Sequence, residues 1–153
     1  MFIRRVVTAL DRADVQYLLV GGYAVALHGA IRGTVDIDIV IPLSRSAFNT
    51  CEKALESIGL KSRLPVTADD VFSFREEYIA NRNMVAWSFI NPQNPLEVVD
   101  ILITEDARKI NHVSRQAFGT RIRVASIPDL IAMKKSSGRP QDIEDIRALE
   151  KLL

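Results

Sequence analysis

Apolar positions recur at helical spacing from the start of the chain. Phe2, Val6 and Leu10, together with Ile3 and Val7, share one face of a helix expected over residues 2–13. Residues 16–20 read as a short buried strand that ends at Gly21-Gly22. Residues 23–28 then read as helix, stopped by Gly29. From Val35 to Ile41 apolar and polar positions alternate strictly, which predicts a second strand closed by Pro42. Ser44 is placed to cap a helix over about residues 45–58, and Gly59 is its natural stop.

The second half has weaker periodicity at first. Residues 60–70 read as loop and about 70–81 as a short helix. Residues 84–90 and 96–103 are two apolar strands separated by the turn-forming run 91–95, which makes them hairpin partners. Residues 105–117 are predicted helical and 120–125 a further strand. Ser126 and Asp129 have capping-box spacing, with Asp in place of the usual Glu or Gln, and open a helix that ends near Gly138. Pro140 starts the last helix, with Ile143, Ile146, Leu149 and Leu153 as its expected apolar stripe. The sum is one domain over residues 1–153 of the α/β (α+β) class: a small mixed sheet flanked by helices.

Composition narrows the function classes. The chain has 153 residues, 48% of them hydrophobic, enough for an ordinary core. Lys and Arg number 20 against 19 Asp and Glu, so bulk charge supplies no drive toward nucleic acid or an anionic membrane. No apolar run has the length of a membrane span, and the first residues lack the pattern of a signal peptide. The single cysteine, Cys51, excludes an internal disulfide and sits at helical spacing with Ala47, Leu55 and Ile58, as a small buried hydrophobe would. A cytoplasmic location is the resulting expectation.

The chemistry is concentrated in three acids. On a strand over residues 35–41, Val35, Ile37, Ile39 and Ile41 face one way and Asp36 and Asp38 the other. The two carboxylates are then about 7 Å apart at their Cα atoms. Such a pair repels, and a divalent cation with a preference for oxygen relieves it; Mg2+ needs only one or two carboxylates completed by water and phosphates. The plain alternative is the solvated face of an edge strand, but Asp has poor strand propensity. Gly21-Gly22, between a strand and a helix, lets backbone approach a phosphate chain closely. Asp100, embedded among aliphatics on a neighbouring strand, is the third acid; a salt bridge to Arg or Lys is its other reading. Glu97 falls on the opposite face by parity and reads as surface.

Gly21-Gly22, Asp36-x-Asp38 and Asp100 together resemble the minimal nucleotidyltransferase fold of the DNA polymerase β superfamily. The string from Gly21 to His28, with Arg32 to Ile39 and the tail from Leu130 to Ile146, is similar to bacterial stand-alone nucleotidyltransferases. These include the abortive-infection toxin type and relatives of antibiotic nucleotidyltransferases. The resemblance implies a transfer of NMP from an NTP to a hydroxyl acceptor with release of pyrophosphate. Asp36, Asp38 and Asp100 would hold two Mg2+ ions (Mn2+ being the alternative metal), Asp100 would help deprotonate the acceptor, and Gly21 and Gly22 would seat phosphates. Many members carry Ser where this chain has Gly22, so phosphate binding here is expected to use N–H groups without that hydroxyl. The acceptor classes implied are an antibiotic, a tRNA end, a protein or a metabolite, with a partner protein encoded nearby for a toxin–antitoxin role.

Arg32 and Thr34, just before the acid strand, and Lys134, in the penultimate helix, are further candidates for phosphate contact, with Lys135 as an alternative to Lys134. Arg139 can pair with Asp142 or Asp145, and those two acids read as stabilising the start of the last helix. His28 reads as a hydrogen-bonded structural residue, and Trp87, Phe89 and Tyr78 as core or wall. Two further functions compete with transfer. One is a nucleotide-binding regulatory or antitoxin-like module of the same fold without turnover. The other is a metal-dependent phosphohydrolase, for which the His-rich ligand pairs are missing.

Overall fold

A computed structural model describes all of residues 1–153. Seven strands form one mixed sheet in the order β3-β4-β5-β2-β1-β7-β6. They are β1 (Leu18–Val20), β2 (Ile37–Val40), β3 (Lys61–Ser62), β4 (Ala86–Asn91), β5 (Asn94–Leu102), β6 (His112–Ala117) and β7 (Thr120–Ala125). The helices are α1 (Phe2–Arg12), α2 (Gly21–Leu27), α3 (Arg45–Glu56), α4 (Ala68–Ser73), α5 (Arg75–Arg82), α6 (Ile127–Ser137) and α7 (Pro140–Glu150). β2 runs parallel to β5 and antiparallel to β1, and β1 runs parallel to β7.

Register turns this topology into two faces. Trp87 of β4, Ile101 of β5, Ile39 of β2, Leu19 of β1 and Val124 of β7 are successive partners across the sheet, and all are buried. One residue along, Ser88, Asp100, Asp38 and Val20 form the adjacent row, which points to the other face because strand side chains alternate. The apolar row belongs to a single core that also takes Ile3, Val6, Val7 and Leu10 of α1 and Phe48, Cys51 and Leu55 of α3. Phe48 stacks on Trp87 at 6.0 Å between ring centroids and meets Phe72 edge-on at 5.5 Å. Cys51 is fully buried, which pushes its thiol up to about 12, with Glu52 adding to the shift; it is an inert core side chain.

Several expected boundaries move for identifiable reasons. The acid strand begins at Ile37, not Val35; Asp36 lies in a bend before it, and Val35 is 56% exposed, off the aliphatic face. The loop at 60–70 contains the two-residue β3, which pairs with β4. The single helix expected near 70–81 is two, because Thr67 and Asp70 form a reciprocal capping box that starts α4 at Ala68, and the chain breaks at Phe74. The predicted helix over 105–117 is wrong. Only a 3-10 turn, Ala107–Lys109, forms there, followed by β6. β6 and β7 are joined by Phe118-Gly119, both with positive φ (53° and 75°), a two-residue hairpin turn that lacks the usual Asn-Gly or Asp-Gly signal.

The last helix also departs from its expected stripe. Ile143 is 48% exposed and Leu153 lies beyond the helix end, 75% exposed, whereas Asp142 and Asp145 are buried beside Leu149. Ser44 and Ser126 cap α3 and α6 as their spacing predicts, each accepting from the backbone N–H three residues on. Truncating Phe48 would remove one ring from the Trp87–Phe48–Phe72 stack that joins α3 to the sheet. Phe48→Ala is expected to lower stability by about 3–5 kcal/mol, read as a shift of the urea midpoint. A change under about 1 kcal/mol would show that the stack is not a main support of the core.

Candidate functional site

The polar row is the centre of the site. Asp38 sits opposite Asp100 across the parallel β2–β5 pair, and the Ser88 hydroxyl donates to Asp100 Oδ1 at 2.5 Å from the neighbouring β4. A rigid ladder therefore holds two carboxyls side by side while Ser88 fixes the outer one. Asp38 is pushed up to about 7, first by burial and then by the charges of Asp100 and Asp36. Asp36, at the exposed rim, is also raised, by partial burial and then by Asp100.

Gly21 and Gly22 press against this row. Gly21 has φ +70°, and a Cβ there would lie 2.1 Å from Asp38 Oδ2, so only glycine leaves room for that carboxylate. A Cβ at Gly22 would lie 2.8 Å from Thr34 Cβ and Oγ1 and 3.3 Å from the Arg32 guanidinium carbon. The expected absence of a hydroxyl at position 22 is thus accompanied by a Thr34 hydroxyl packed against the same spot. α2 begins at Gly21, not at Tyr23, so both glycines form its first turn.

Together Gly21, Gly22, Arg32, Thr34, Asp36, Asp38 and Lys134 line one cavity of about 330 Å3, with Val35 and Arg139 completing it. Asp100 is outside the lining, beside Asp38 on the adjacent strand and partly exposed. No group of three or more His, Cys, Asp or Glu side chains is arranged to enclose an ion. The acids are a registered pair with a third carboxyl at the rim, and Arg32, Lys134 and Arg139 line the same cavity as Asp36 and Asp38.

Those cations are held by the two acids that the sequence assigned to helix-end stabilisation. That reading is incomplete. Asp145 is buried and accepts from Lys134 Nζ at 3.0 Å, Arg32 Nε at 3.0 Å and Gln141 at 3.1 Å. Asp142 accepts from Arg139 Nε at 2.9 Å and its backbone N–H at 3.1 Å, and Lys134 Nζ is 3.8 Å away. Burial works to raise both carboxyls, yet these bonds outweigh it and leave both below the ordinary carboxylate value. Of the two partners foreseen for Arg139, the structure selects Asp142. Lys135 is exposed and outside the cavity lining.

Sequence reasoning missed the positioning roles of Ser88 and Asp145. The signal for Ser88 was its parity with Asp100 across the hairpin; for Asp145 it was its i,i+3 relation to Asp142, which puts both on one helix face. His28 is structural as expected: its Nε2–H donates to the Ala125 carbonyl at 2.8 Å, and Nδ1 is buried without a partner.

A family model described as nucleotidyltransferase of unknown function (DUF6036) matches residues 2–152. No curated protein matches the sequence. Among solved structures, the lincosamide antibiotic adenylyltransferase LnuA, lincomycin-bound, is 16% identical, with 99% of this chain and 96% of that chain covered and a TM-score of 0.64. ANT(2")-Ia in complex with adenylyl-2"-tobramycin is also 16% identical, with 98% and 90% covered and a TM-score of 0.60. An antigenic nucleotidyltransferase-like protein from Paracoccidioides brasiliensis is 16% identical, with 98% and 75% covered and a TM-score of 0.59. At these identities the likeness is one of fold.

Two outcomes follow from the geometry. The folded, metal-free protein keeps a proton on Asp38 that the unfolded chain, with an ordinary carboxyl near pH 4, gives up. That contribution to stability is fully present below about pH 4 and is lost as pH rises toward about 7. Asp38→Asn should flatten this decline, measured as urea midpoint against pH in EDTA; an unchanged slope would mean the proton resides elsewhere. Gly21→Ala combines a left-handed backbone with an overlap on Asp38 and should cost about 1–3 kcal/mol. A melting temperature equal to wild type would show that Asp38 swings clear of the added methyl.

Proposed function

The chain belongs to this family of nucleotidyltransferases, and from that premise we propose that it moves NMP from an Mg2+-bound NTP to an acceptor hydroxyl, with release of pyrophosphate. The observation that carries the reading is the single cavity in which bare glycine backbone and cations face carboxylates. Its two sides match the two needs of an NTP: neutralised phosphate oxygens and a liganded metal.

The donor set suits the metal. Asp36, Asp38 and Asp100 offer oxygen only, and Asp38 and Asp100 are a like-charge pair that a cation would relieve. The lack of a preformed three-acid enclosure is compatible with a metal that takes its remaining ligands from phosphate and water. Bound there, Mg2+ ions (or Mn2+) would stabilise the charge on the attacking and leaving oxygens. The chain's own residues supply the rest. The backbone N–H groups of Gly21 and Gly22 and the Thr34 hydroxyl bind the β- and γ-phosphates, and Arg32 and Lys134, held in place by Asp145, neutralise them. Asp100, oriented by Ser88, accepts the proton of the incoming hydroxyl.

The structural relatives are described with an antibiotic or an adenylylated antibiotic bound, which makes a hydroxyl-bearing small molecule one acceptor class to test, alongside RNA ends and protein side chains. The competing reading is a nucleotide-binding module without turnover, favoured by the incomplete acid enclosure. Incubation with each α-labelled NTP, Mg2+ and cell extract separates the two. Transfer predicts label on a small-molecule, RNA or protein fraction, lost in Asp36→Ala and Asp38→Ala along with Mg2+-dependent NTP binding. Asp100→Asn should reduce transfer roughly a hundredfold or more while retaining most NTP affinity. Tight NTP binding with no labelled product from any NTP would favour the module, and undiminished NTP affinity in Asp36→Ala/Asp38→Ala would overturn the site itself.

A further inference from the structure

A second cavity, a groove of about 660 Å3 between α1 and α3, shares no lining residue with the nucleotide cavity. Its α1 wall carries Arg4, Thr8 and Arg12, one helical turn apart and about 6 Å in rise from one to the next. The facing α3 wall carries Thr50, Lys53 and Ser57. The floor is low because Ala9 and Ala54 are small, and no Asp or Glu lines the groove. Arg4, Arg12 and Lys53 are exposed and have no carboxylate within 4 Å; Arg5, also at the groove, is paired with Glu97.

The Arg4 end of the groove abuts the β6–β7 turn. A Cβ at Gly119 would lie 3.4 Å from Arg4 Nη1, and the neighbouring Phe118 is 38% exposed. That hairpin, His112 to Ala125, carries Arg115, Arg121 and Arg123 and no Asp or Glu. In a chain of 20 basic and 19 acidic residues, this is a local concentration of positive charge that the bulk composition conceals.

We propose that the α1–α3 groove and the Phe118 turn bind single-stranded RNA. Arg4, Arg12 and Lys53 contact phosphates, the Thr8 and Thr50 hydroxyls contact phosphate oxygens and 2′-hydroxyls, Ser57, whose hydroxyl donates to the Ala54 carbonyl, accepts from a 2′-hydroxyl, and Phe118 stacks on a base at the groove end. A repeating anion-and-hydroxyl backbone fits two walls on which cations and hydroxyls alternate. The inference stands apart from the transfer chemistry, since none of its residues touches the acids.

The test is fluorescence anisotropy of a labelled oligouridylate titrated with the full chain over a range of salt. Three neutralised phosphates predict a slope of log K against log salt near about −2. Arg4→Glu/Arg12→Glu should weaken binding by roughly tenfold or more, and Phe118→Ala by roughly fivefold or more. Should the reversed pair fail to fold, Arg4→Gln/Arg12→Gln should flatten the slope by about 1.4. Arg147→Glu, which reverses one exposed charge on α7 outside the groove lining, should leave affinity unchanged, and Asp38→Asn should bind RNA as wild type does. Equal loss in Arg147→Glu, equal affinity for the matching DNA, or displacement by polyglutamate at the same charge concentration would each overturn the proposal.

Discussion

The register of β2 against β5 is the constraint on which the site depends. It sets Asp38 opposite Asp100, and it is held by the apolar row one residue away, from Trp87 through Ile101, Ile39 and Leu19 to Val124. Strand side chains alternate, so a slip of one residue would drive both acids into the core and expose the aliphatic row. The hydrophobic energy of that row therefore opposes the repulsion of two neighbouring carboxyls. Burial and mutual charge hold Asp38 up to about 7, which leaves a site that gains from any cation able to replace the proton.

A second constraint acts from the opposite wall. Lys134 on α6 and Arg32 in the loop before β2 converge on Asp145 of α7. A buried pair of this kind is worth little as net stability, because desolvation offsets most of the attraction. Its effect is geometric. Three segments are tied at one carboxylate, Arg32 from more than 100 residues away, so that two cations line the cavity that Asp36 and Asp38 also line. Thr34, packed where a side chain at position 22 would extend, belongs to the same arrangement. The loop that leads into the acid strand brings both a cation and a hydroxyl to the glycine turn.

The sheet class, the capping serines, the glycine turn and the strand positions of Asp38 and Asp100 were legible because each rests on local periodicity or spacing. What failed was decided by tertiary context. His112 to Ala117 has no strong strand alternation and follows a real 3-10 turn at Ala107, so the segment passes for helix until β7 pairs with it through Phe118-Gly119. The same limit hid the core-facing side of α7. Ile143 looked like part of an apolar stripe and Asp145 like a stabiliser of the helix start, but the arrival of Lys134 and Arg32 lets the aspartate occupy the interior and leaves Ile143 outside. Ser88 was silent for a related reason: a serine in a strand signals nothing until its register partner is known to be Asp100.

β7 joins the two charged surfaces. At one end its turn packs against Arg4 of the groove. At the other, the Ala125 carbonyl accepts from His28 of α2, the helix that begins with the glycine pair, and the chain continues into α6, which carries Lys134. The core layer separates the groove from the acid row, because the apolar row faces α3 through the Trp87–Phe48 stack while Asp38 and Asp100 point away from it. An RNA strand lying in the groove would therefore reach the acids only by passing around an edge of the sheet. β6 forms one such edge, and the exposed Arg115 on it extends the positive surface. The two surfaces differ in how their cations are held, since Arg4, Arg12 and Lys53 stand exposed on the groove while Arg32 and Lys134 are fixed by the buried Asp145.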